Sequence, residues 1–501
     1  MRSLRGDGVY KKQIAIGFAL FLIYWVALPI ALITIGGYLN SEQISENLEA
    51  FGSVLGWIGF VFGMISASYA LIDGGGIAFC CPPKKVLQCG TYSMCRHPMY
   101  CGFMLFLNGL ALKYGNLGSL ELSITFSIFL IIFAVIYEER KTMKKFPDYS
   151  KYKKEVFAFI PKFPKIDDRC PPLLFQLLFY IGHIISWFSW HIKFEKDCEI
   201  PEGGYMVVAN HVTYLDFAVV VYVLSRFVSF PISFFHYERN KWLYKLVGSF
   251  PIKRHKPDTR AIIKIISYIK KGGRIGIFPE AERSWDGRYL GTKEGFDKLA
   301  QRVPKPIVAM RLERAHLLYP RWGRKFLPGD VFVKVRCFDS FEEAEEFLKD
   351  PSVDPNDIYP SYEGVERYVY RCPECGNYHS VESNKKGFRC RKCGYEIEKP
   401  TVGKLWKMHD DNYKSLELPF TEEAEIIDEY GRSTGERAIV TMSDEEIRYN
   451  DKILRRCDVK SFITEGSKEV FFYDGEKMIG FKFKSALLWS DLVRKFWKIE
   501  V

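Results

Sequence analysis

The stretch Asn210-His211-Val212-Thr213-Tyr214-Leu215-Asp216 sets a histidine and a carboxylate five positions apart, directly after the apolar run Tyr205–Ala209. Imidazole is the usual general base near neutral pH. A carboxylate bonded to its far nitrogen fixes the tautomer and raises its basicity. In one continuous helix, positions i and i+5 lie about 140° apart, on different faces. The pair therefore works only if His211 sits in the turn after a strand and Asp216 in the helix that follows. The competing reading is a helix N-cap beside a surface histidine.

A second chemistry is carried by cysteines. Cys372-Pro373-Glu374-Cys375-Gly376 and Cys390-Arg391-Lys392-Cys393-Gly394 are two Cys-x2-Cys knuckles with fourteen residues between Cys375 and Cys390. Four thiolates at this spacing suit tetrahedral zinc, and a glycine after each knuckle allows the turn. A four-cysteine site has no open position, so its zinc is structural. His379 reads as a loop residue.

The elements that must hold these groups follow from periodicity. Tyr205–Ala209, Phe227–Phe235, Arg274–Phe278 and Pro306–Met310 read as strands. Arg260 to Lys271 carries Ile262, Ile263, Ile265, Ile266 and Ile269 and reads as an amphipathic helix stopped by Gly272-Gly273. Alternating strands and helices with polar residues at strand ends make an α/β domain. Beyond Lys414 come short strand-like runs: Ala438–Met442, Glu446–Tyr449, Val459–Thr464, Glu469–Tyr473 and Met478–Phe483. A final helix, Ser485 to Trp497, follows. This order suits a small β-rich domain of pleckstrin-homology type.

The front of the chain is a different material. Ile14–Leu39, Val54–Ile72, Met99–Leu112 and Leu120–Tyr137 are apolar runs expected to span a membrane four times. Lys and Arg flank the ends before the first span, after the second and after the fourth. The loop with Glu42, Glu46 and Glu49 is acidic. The positive-inside rule then puts both termini of this domain in the cytoplasm. Leu173 to Trp190 is about one span long; a re-entrant or interfacial helix is preferred over a crossing. The 501 residues imply three or four domains, and the net charge of +11 suits an anionic lipid surface. A nucleic-acid partner is not expected. The thirteen cysteines do not form a disulfide framework, which points to a reducing, cytosol-facing location.

Four segments stand in order: Asn210-His211-x4-Asp216; Gly248-Ser249-Phe250-Pro251-Ile252-Lys253-Arg254; Phe278-Pro279-Glu280-Ala281-Glu282-Arg283-Ser284; and Pro306-Ile307-Val308-Ala309. Together they resemble the glycerophosphate and lysophosphatidic-acid acyltransferase family. The resemblance implies a fatty acyl group moving from a CoA or carrier-protein thioester to lysophosphatidate or a related acceptor. His211, Asp216 and Glu280 would be catalytic, and Arg254, Arg283 and Ser284 would bind substrate. The family usually has Gly-Thr where this chain has Ala281-Glu282, which bears on the acceptor. It also extends to acyltransferases that carry a similar zinc ribbon.

A second block precedes it. Gly90-Thr91-Tyr92, Arg96-His97-Pro98-Met99-Tyr100-Cys101-Gly102 and Glu138-Glu139 resemble the isoprenylcysteine carboxyl methyltransferase and phospholipid methyltransferase superfamily. That resemblance implies S-adenosylmethionine bound by His97, Tyr100, Glu138 and Glu139, with Arg96 nearby. A retained membrane anchor without activity is the other reading.

The expected organisation is a membrane methyltransferase-like domain at 1–165, an acyltransferase domain at 170–345, a zinc ribbon at 365–398 and a β-rich domain at 412–501. The expected protein is an integral membrane acyltransferase whose catalytic domains face the cytoplasm, with a methyltransferase activity beside it. Two alternatives stand. One is a methyltransferase using the acyltransferase module to bind lipid, and the other is a non-enzymatic scaffold.

Overall fold

The structure is a computed structural model that describes residues 16, 19–45, 47–72, 86–88, 90–114, 116–147, 149–161, 189–224, 226–254, 258–349 and 353–499. Gly74-Gly75-Gly76, Pro82-Pro83-Lys84-Lys85 and nearly all of the Leu173–Trp190 segment lie outside these residues. Two compact units make up the chain. The first is Met1–Ile181 with Leu224–Phe227 and Leu246–Gly248; the second is Gly182–Val223, Val228–Lys245 and Ser249–Val501.

The first unit is helical. Three helices are long and apolar enough to cross a membrane: α1 (Ala19–Leu39), α2 (Asn47–Ile72, apolar over Leu48–Ala70) and α4 (Leu117–Lys145). The expected span Met99–Leu112 forms a 16-residue helix, α3 (Pro98–Lys113). At 1.5 Å per residue it is about 24 Å long, short of a ~30 Å hydrocarbon core. Among the described residues, three of the four expected runs thus form helices of spanning length, and the fourth forms a shorter apolar helix.

Helices α2 and α3 pack backbone to backbone. A Cβ at Gly59 would lie 2.3 Å from Phe106 N, and one at Gly109 would lie 2.3 Å from Gly56 N. Small residues permit this approach, and van der Waals contact then holds two apolar helices together without help from water. Trp25 of α1 is buried among Phe60, Phe103 and Phe106, with ring centroids 5.4–5.7 Å away.

The second unit begins with a five-stranded sheet. Its strands are β1 (Trp190–Lys196), β2 (Tyr205–Ala209), β5 (Arg274–Ile277), β6 (Ile307–Glu313) and β7 (Gly329–Phe338), ordered β1-β7-β6-β2-β5. Only the β6–β7 pair is antiparallel. Every residue of β2 is buried, as its unbroken apolar run requires of a central strand. The amphipathic helix α7 (Thr259–Lys270) buries Ala261, Ile265 and Ile269, is capped by Asp258, and ends before Gly272 at φ 91°.

The expected strand Phe227–Phe235 is mostly something else. It contributes the three-residue β3 (Pro231–Ser233), paired with β4 (Phe250–Ile252), and then turns into helix α6 (Phe234–Arg239). A second correction concerns thiols: Cys198 and Cys337 are disulfide-bonded.

Three short strands, β8 (Val381–Ser383), β9 (Gly387–Cys390) and β10 (Glu396–Glu398), build the ribbon. Helix α9 (Val402–Lys414) leads to a seven-stranded antiparallel sheet: β11 (Phe420–Ile427), β12 (Ser433–Met442), β13 (Glu446–Tyr449), β14 (Lys452–Arg455), β15 (Ser461–Glu465), β16 (Glu469–Tyr473) and β17 (Met478–Lys482). Its order is β14-β13-β12-β11-β17-β16-β15. The closing helix α10 (Ala486–Leu492) is buried along its whole length.

Candidate active site

The parallel strand β2 runs between β6 and β5 and delivers Asn210 and His211 at its carboxyl end, where open α/β sheets gather ligands. Asn210 locks this end in place. Its Nδ2 donates to Leu312 O (3.0 Å) and its Oδ1 accepts from Leu312 N (2.7 Å). The chain then turns, and Asp216 opens helix α5 (Asp216–Leu224).

Asp216 is fully buried. Its Oδ2 lies 2.8 Å from His211 Nδ1 and also accepts from the N–H groups of Val212 (2.7 Å) and Thr213 (2.9 Å). Its Oδ1 accepts from Thr213 Oγ1 (2.6 Å). Four donors fix one carboxylate, which in turn fixes one ring. With Nδ1 facing the carboxylate as an N–H, the basic lone pair belongs to Nε2. The imidazole stacks on Phe278 at 4.2 Å and 12°, and its side chain is 22% exposed. Burial pushes the His211 pKa below 6.5, as do the charges of Arg283 and Arg254; Asp216 opposes them. A neutral imidazole at pH 7 is the form a general base needs.

Glu280 supports His211 from behind. Its Oε1 accepts from His211 N (2.6 Å) and its Oε2 from Leu290 N (2.9 Å). Burial raises its pKa to about 8; the Asp216 and Glu282 charges add to this, against the two backbone donors. Ser284 is also tied to the turn: its N–H donates to His211 O (2.8 Å), and its Oγ accepts from Gly287 N (2.9 Å).

The arginines differ from each other. The Arg283 guanidinium carbon lies over the Tyr214 ring, 3.3 Å from its centroid, and burial lowers its pKa to about 10, so it stays charged at neutral pH. Arg254 donates through Nη1 to Ala281 O and through Nη2 to Glu465 Oε1, on β15. Ala281 adopts φ 56°, in the left-handed region where glycine is free of strain. Glu282 faces side chains of the protein itself. It is buried and accepts from Arg321 Nη1 (2.7 Å), Thr464 Oγ1 and Arg494 Nη2 (3.1 Å). The pair Ala281-Glu282 thus joins the His211 region to the carboxyl-terminal sheet. Lys293, not singled out in the sequence, donates to Arg254 O, and burial lowers its pKa to about 8.

In the first unit the predicted cofactor residues gather at one end of α3 and α4. Glu139 is buried and pairs with Arg96 (Nε 2.8 Å), His97 (Nε2 3.1 Å) and Lys153 (Nζ 2.8 Å). The N–H groups of Arg96 and His97 donate to Phe157 O and Ala158 O, and His97 stacks on Phe159 at 5.2 Å. Tyr100 lies 5.8 Å from His97, ring to ring. Glu138 Oε2 is buried without a hydrogen bond among the described residues.

The ribbon cysteines converge. The Sγ atoms of Cys372, Cys375, Cys390 and Cys393 lie within 4.8 Å of one another, with two pairs at 3.7 Å. Tetrahedral zinc with Zn–S of about 2.3 Å needs sulfurs about 3.8 Å apart. Gly376 (φ 70°) and Gly394 (φ 77°) make the turn after each knuckle. The four cysteines can hold a metal ion.

Residues 191–313 match the acyltransferase family model, and residues 24–149 match the phospholipid methyltransferase model. A 1-acyl-sn-glycerol-3-phosphate acyltransferase from Cocos nucifera is 26% identical over 160 residues, 30% of this chain and 51% of that protein. Another, from Limnanthes alba, is 33% identical over 97 residues, 18% of this chain and 34% of that protein. The chain thus spans about half or less of the length of these relatives. The crystal structure of the 1-acyl-sn-glycerophosphate (LPA) acyltransferase from Thermotoga maritima aligns with TM-score 0.29 and 21% identity, over 45% of this chain and 90% of that one. One polypeptide therefore combines a phospholipid methyltransferase domain, over residues 24–149, with an acyltransferase domain, over residues 191–313.

Proposed function

We propose that the second unit moves a fatty acyl group from a thioester, on CoA or an acyl carrier protein, to a free hydroxyl of lysophosphatidate or a related lysoglycerolipid. The observation that carries this reading is the 2.8 Å contact of His211 Nδ1 with Asp216 Oδ2 at the end of β2. His211 Nε2 takes the hydroxyl proton as the acceptor oxygen attacks the thioester carbonyl. The tetrahedral species then breaks its C–S bond, and the leaving sulfur receives that proton from the imidazolium. Asp216 stabilises the imidazolium between the two transfers. Glu280 positions His211 through its backbone, and Arg283 supplies positive charge for an anionic headgroup.

The remaining parts fit a membrane enzyme. Among the described residues, three helices of spanning length suit a chain set in the bilayer where its lipids reside; the basic flanks of the apolar runs favour catalytic residues on the cytoplasmic side. The four-cysteine site holds structural zinc. The carboxyl-terminal sheet and helix form a pleckstrin-homology-like domain.

The test uses purified protein in lipid nanodiscs with radiolabelled acyl-CoA and lysoglycerolipids, beside His211→Ala. Diacyl product from the wild type, reduced by roughly 10²–10⁴-fold in the variant, supports the reading. No product from any acceptor removes it, and leaves the lipid-binding and scaffold readings.

A second activity is favoured by one observation. Glu138 Oε2 is buried and accepts no hydrogen bond among the described residues, and hydroxyl or amino groups of S-adenosylmethionine would supply a donor there. Arg96, His97, Tyr100, Glu138 and Glu139 would hold the cofactor. When bound, it supplies an electrophilic methyl group. Calorimetric binding of S-adenosylmethionine to the wild type, lost in Glu138→Ala, tests the site without relying on turnover.

A further inference from the structure

Arg254 is where a substrate phosphate would be expected, yet it is already engaged. Its Nη2 donates to Glu465 Oε1 and its Nη1 to Ala281 O. Among the described residues, Nε is its buried donor without a partner. A guanidinium binds a phosphomonoester best through two parallel N–H groups. Here both terminal nitrogens are already engaged and the positive charge is paired with Glu465, so no open face with two parallel, uncompensated donors is left for a dianion.

Glu465 is held too firmly to step aside easily. Its side chain is 8% exposed. Besides Arg254, it accepts from Ser233 Oγ (3.2 Å) and sits 2.8 Å from His236 Nε2. Its neighbours in the chain are anchored as well. Thr464 Oγ1 donates to Glu282, and Gly466 O accepts from Arg321 Nε (2.8 Å). A Cβ on Gly466 would lie 3.6 Å from the Tyr214 hydroxyl, so this turn lies against the His211–Asp216 loop. Removing Arg254 from Glu465 would leave a buried carboxylate short of a partner, which is strongly unfavourable.

We infer that Glu465, supplied by the carboxyl-terminal sheet, is a specificity-determining residue that selects a singly charged phosphodiester acceptor over a doubly charged phosphomonoester. The inference rests on the acyl-transfer reading. Arg283 remains to attract one negative charge, and Arg254 Nε remains to donate to one oxygen. A second negative charge would meet Glu465 instead of an open guanidinium.

The experiment compares kcat/KM for lysophosphatidylglycerol and lysophosphatidate of equal chain length, with one acyl-CoA donor. The wild type should favour the phosphodiester by roughly tenfold or more, the worth of one charge-assisted hydrogen bond. Glu465→Gln should shrink that ratio toward one by raising kcat/KM for lysophosphatidate. Arg494→Gln disturbs the same sheet contact without touching Arg254 and should keep the wild-type ratio.

A wild type that prefers lysophosphatidate overturns the inference, whether or not Glu465→Gln folds. So does a ratio unchanged in Glu465→Gln, or shifted equally by Arg494→Gln. In these cases His211-dependent product still upholds acyl transfer. A wild type silent toward both lipids removes the inference, and silence toward every other lysoglycerolipid removes acyl transfer as well.

Discussion

The backbone N–H of His211 donates to Glu280 Oε1 at 2.6 Å, so the residue that carries the base is held by a carboxyl group 69 positions away. The same carboxyl caps Leu290 N. Burial first, and then the Asp216 and Glu282 charges, raise its pKa from 4.5 to about 8. Between those values the folded chain keeps a proton that the unfolded chain has released. This group therefore makes stability fall as pH rises from about 4.5 to 8, with about 1.4 kcal/mol for each unit of separation. Glu280→Gln removes the titration and should flatten that slope. Urea unfolding of the two proteins at pH 5 and pH 8 reads the difference; equal slopes refute it.

Asp216 gives a prediction on rate. It raises the affinity of His211 for a proton against burial and two arginines, which together hold the pKa below 6.5. The acid limb of the kcat/KM profile should therefore lie below pH 6.5. Asp216→Asn removes the charge and puts an amide beside Nδ1, which favours the wrong tautomer. The expected loss is roughly 10²–10⁴-fold in kcat across the profile, with the protein still folded. A variant that keeps full activity and only moves its acid limb to lower pH would show that Asp216 acts on the pKa alone.

Much of this site was legible in the sequence because it is local. His211 and Asp216 are five residues apart, and an apolar strand before a helical run leaves one way to bring them together. The two Cys-x2-Cys knuckles and the Ile-rich stripe of α7 are legible for the same reason. Phe227–Phe235 misled because apolar and aromatic residues suit a strand and a buried turn equally, and tertiary packing chose a turn and α6. Strand β11 was hidden by Glu422, which alternates inward and is buried. Its Oε2 accepts from Trp489 Nε1 at 2.8 Å, a partner 67 residues away that no local pattern announces. Glu465 was hidden more deeply still, since 211 positions separate it from Arg254. Glu282, which departs from the Gly-Thr of the resembled family, is explained only by Arg321, Thr464 and Arg494.

The glycines of α2 and α3 were also overlooked, because an apolar run reads the same with or without a close partner. Their role can be measured. A Cβ at Gly59 would meet backbone on the far helix, with Phe106 N at 2.3 Å and Gly102 O at 2.6 Å. Backbone cannot rotate away as a side chain can, so the helices must part. Gly59→Val should destabilise the first unit by roughly 1–3 kcal/mol, the usual effect of overpacking. Thermal unfolding in detergent, beside Gly203→Val, where a Cβ has open space, provides the comparison. Equal midpoints would mean that the α2–α3 contact adds nothing.

The ribbon supplies the last prediction. Its strands β8 to β10 are only three or four residues long, too little hydrogen bonding to stand alone. Cys372 and Cys390 are nonetheless buried in the large core that also holds Trp322, Tyr368 and Trp489. Without metal, the thiolates at this converged site repel one another, and the knuckles lose the bond that closes them. Metal content by mass spectrometry should show one zinc per chain, and Cys375→Ser should abolish it. Cys375 is exposed, so its loss removes a ligand without opening a core cavity. A strong chelator should lower the unfolding midpoint of the wild type and leave that of Cys375→Ser unchanged. A chelator effect of equal size in both proteins would place the stabilising metal elsewhere.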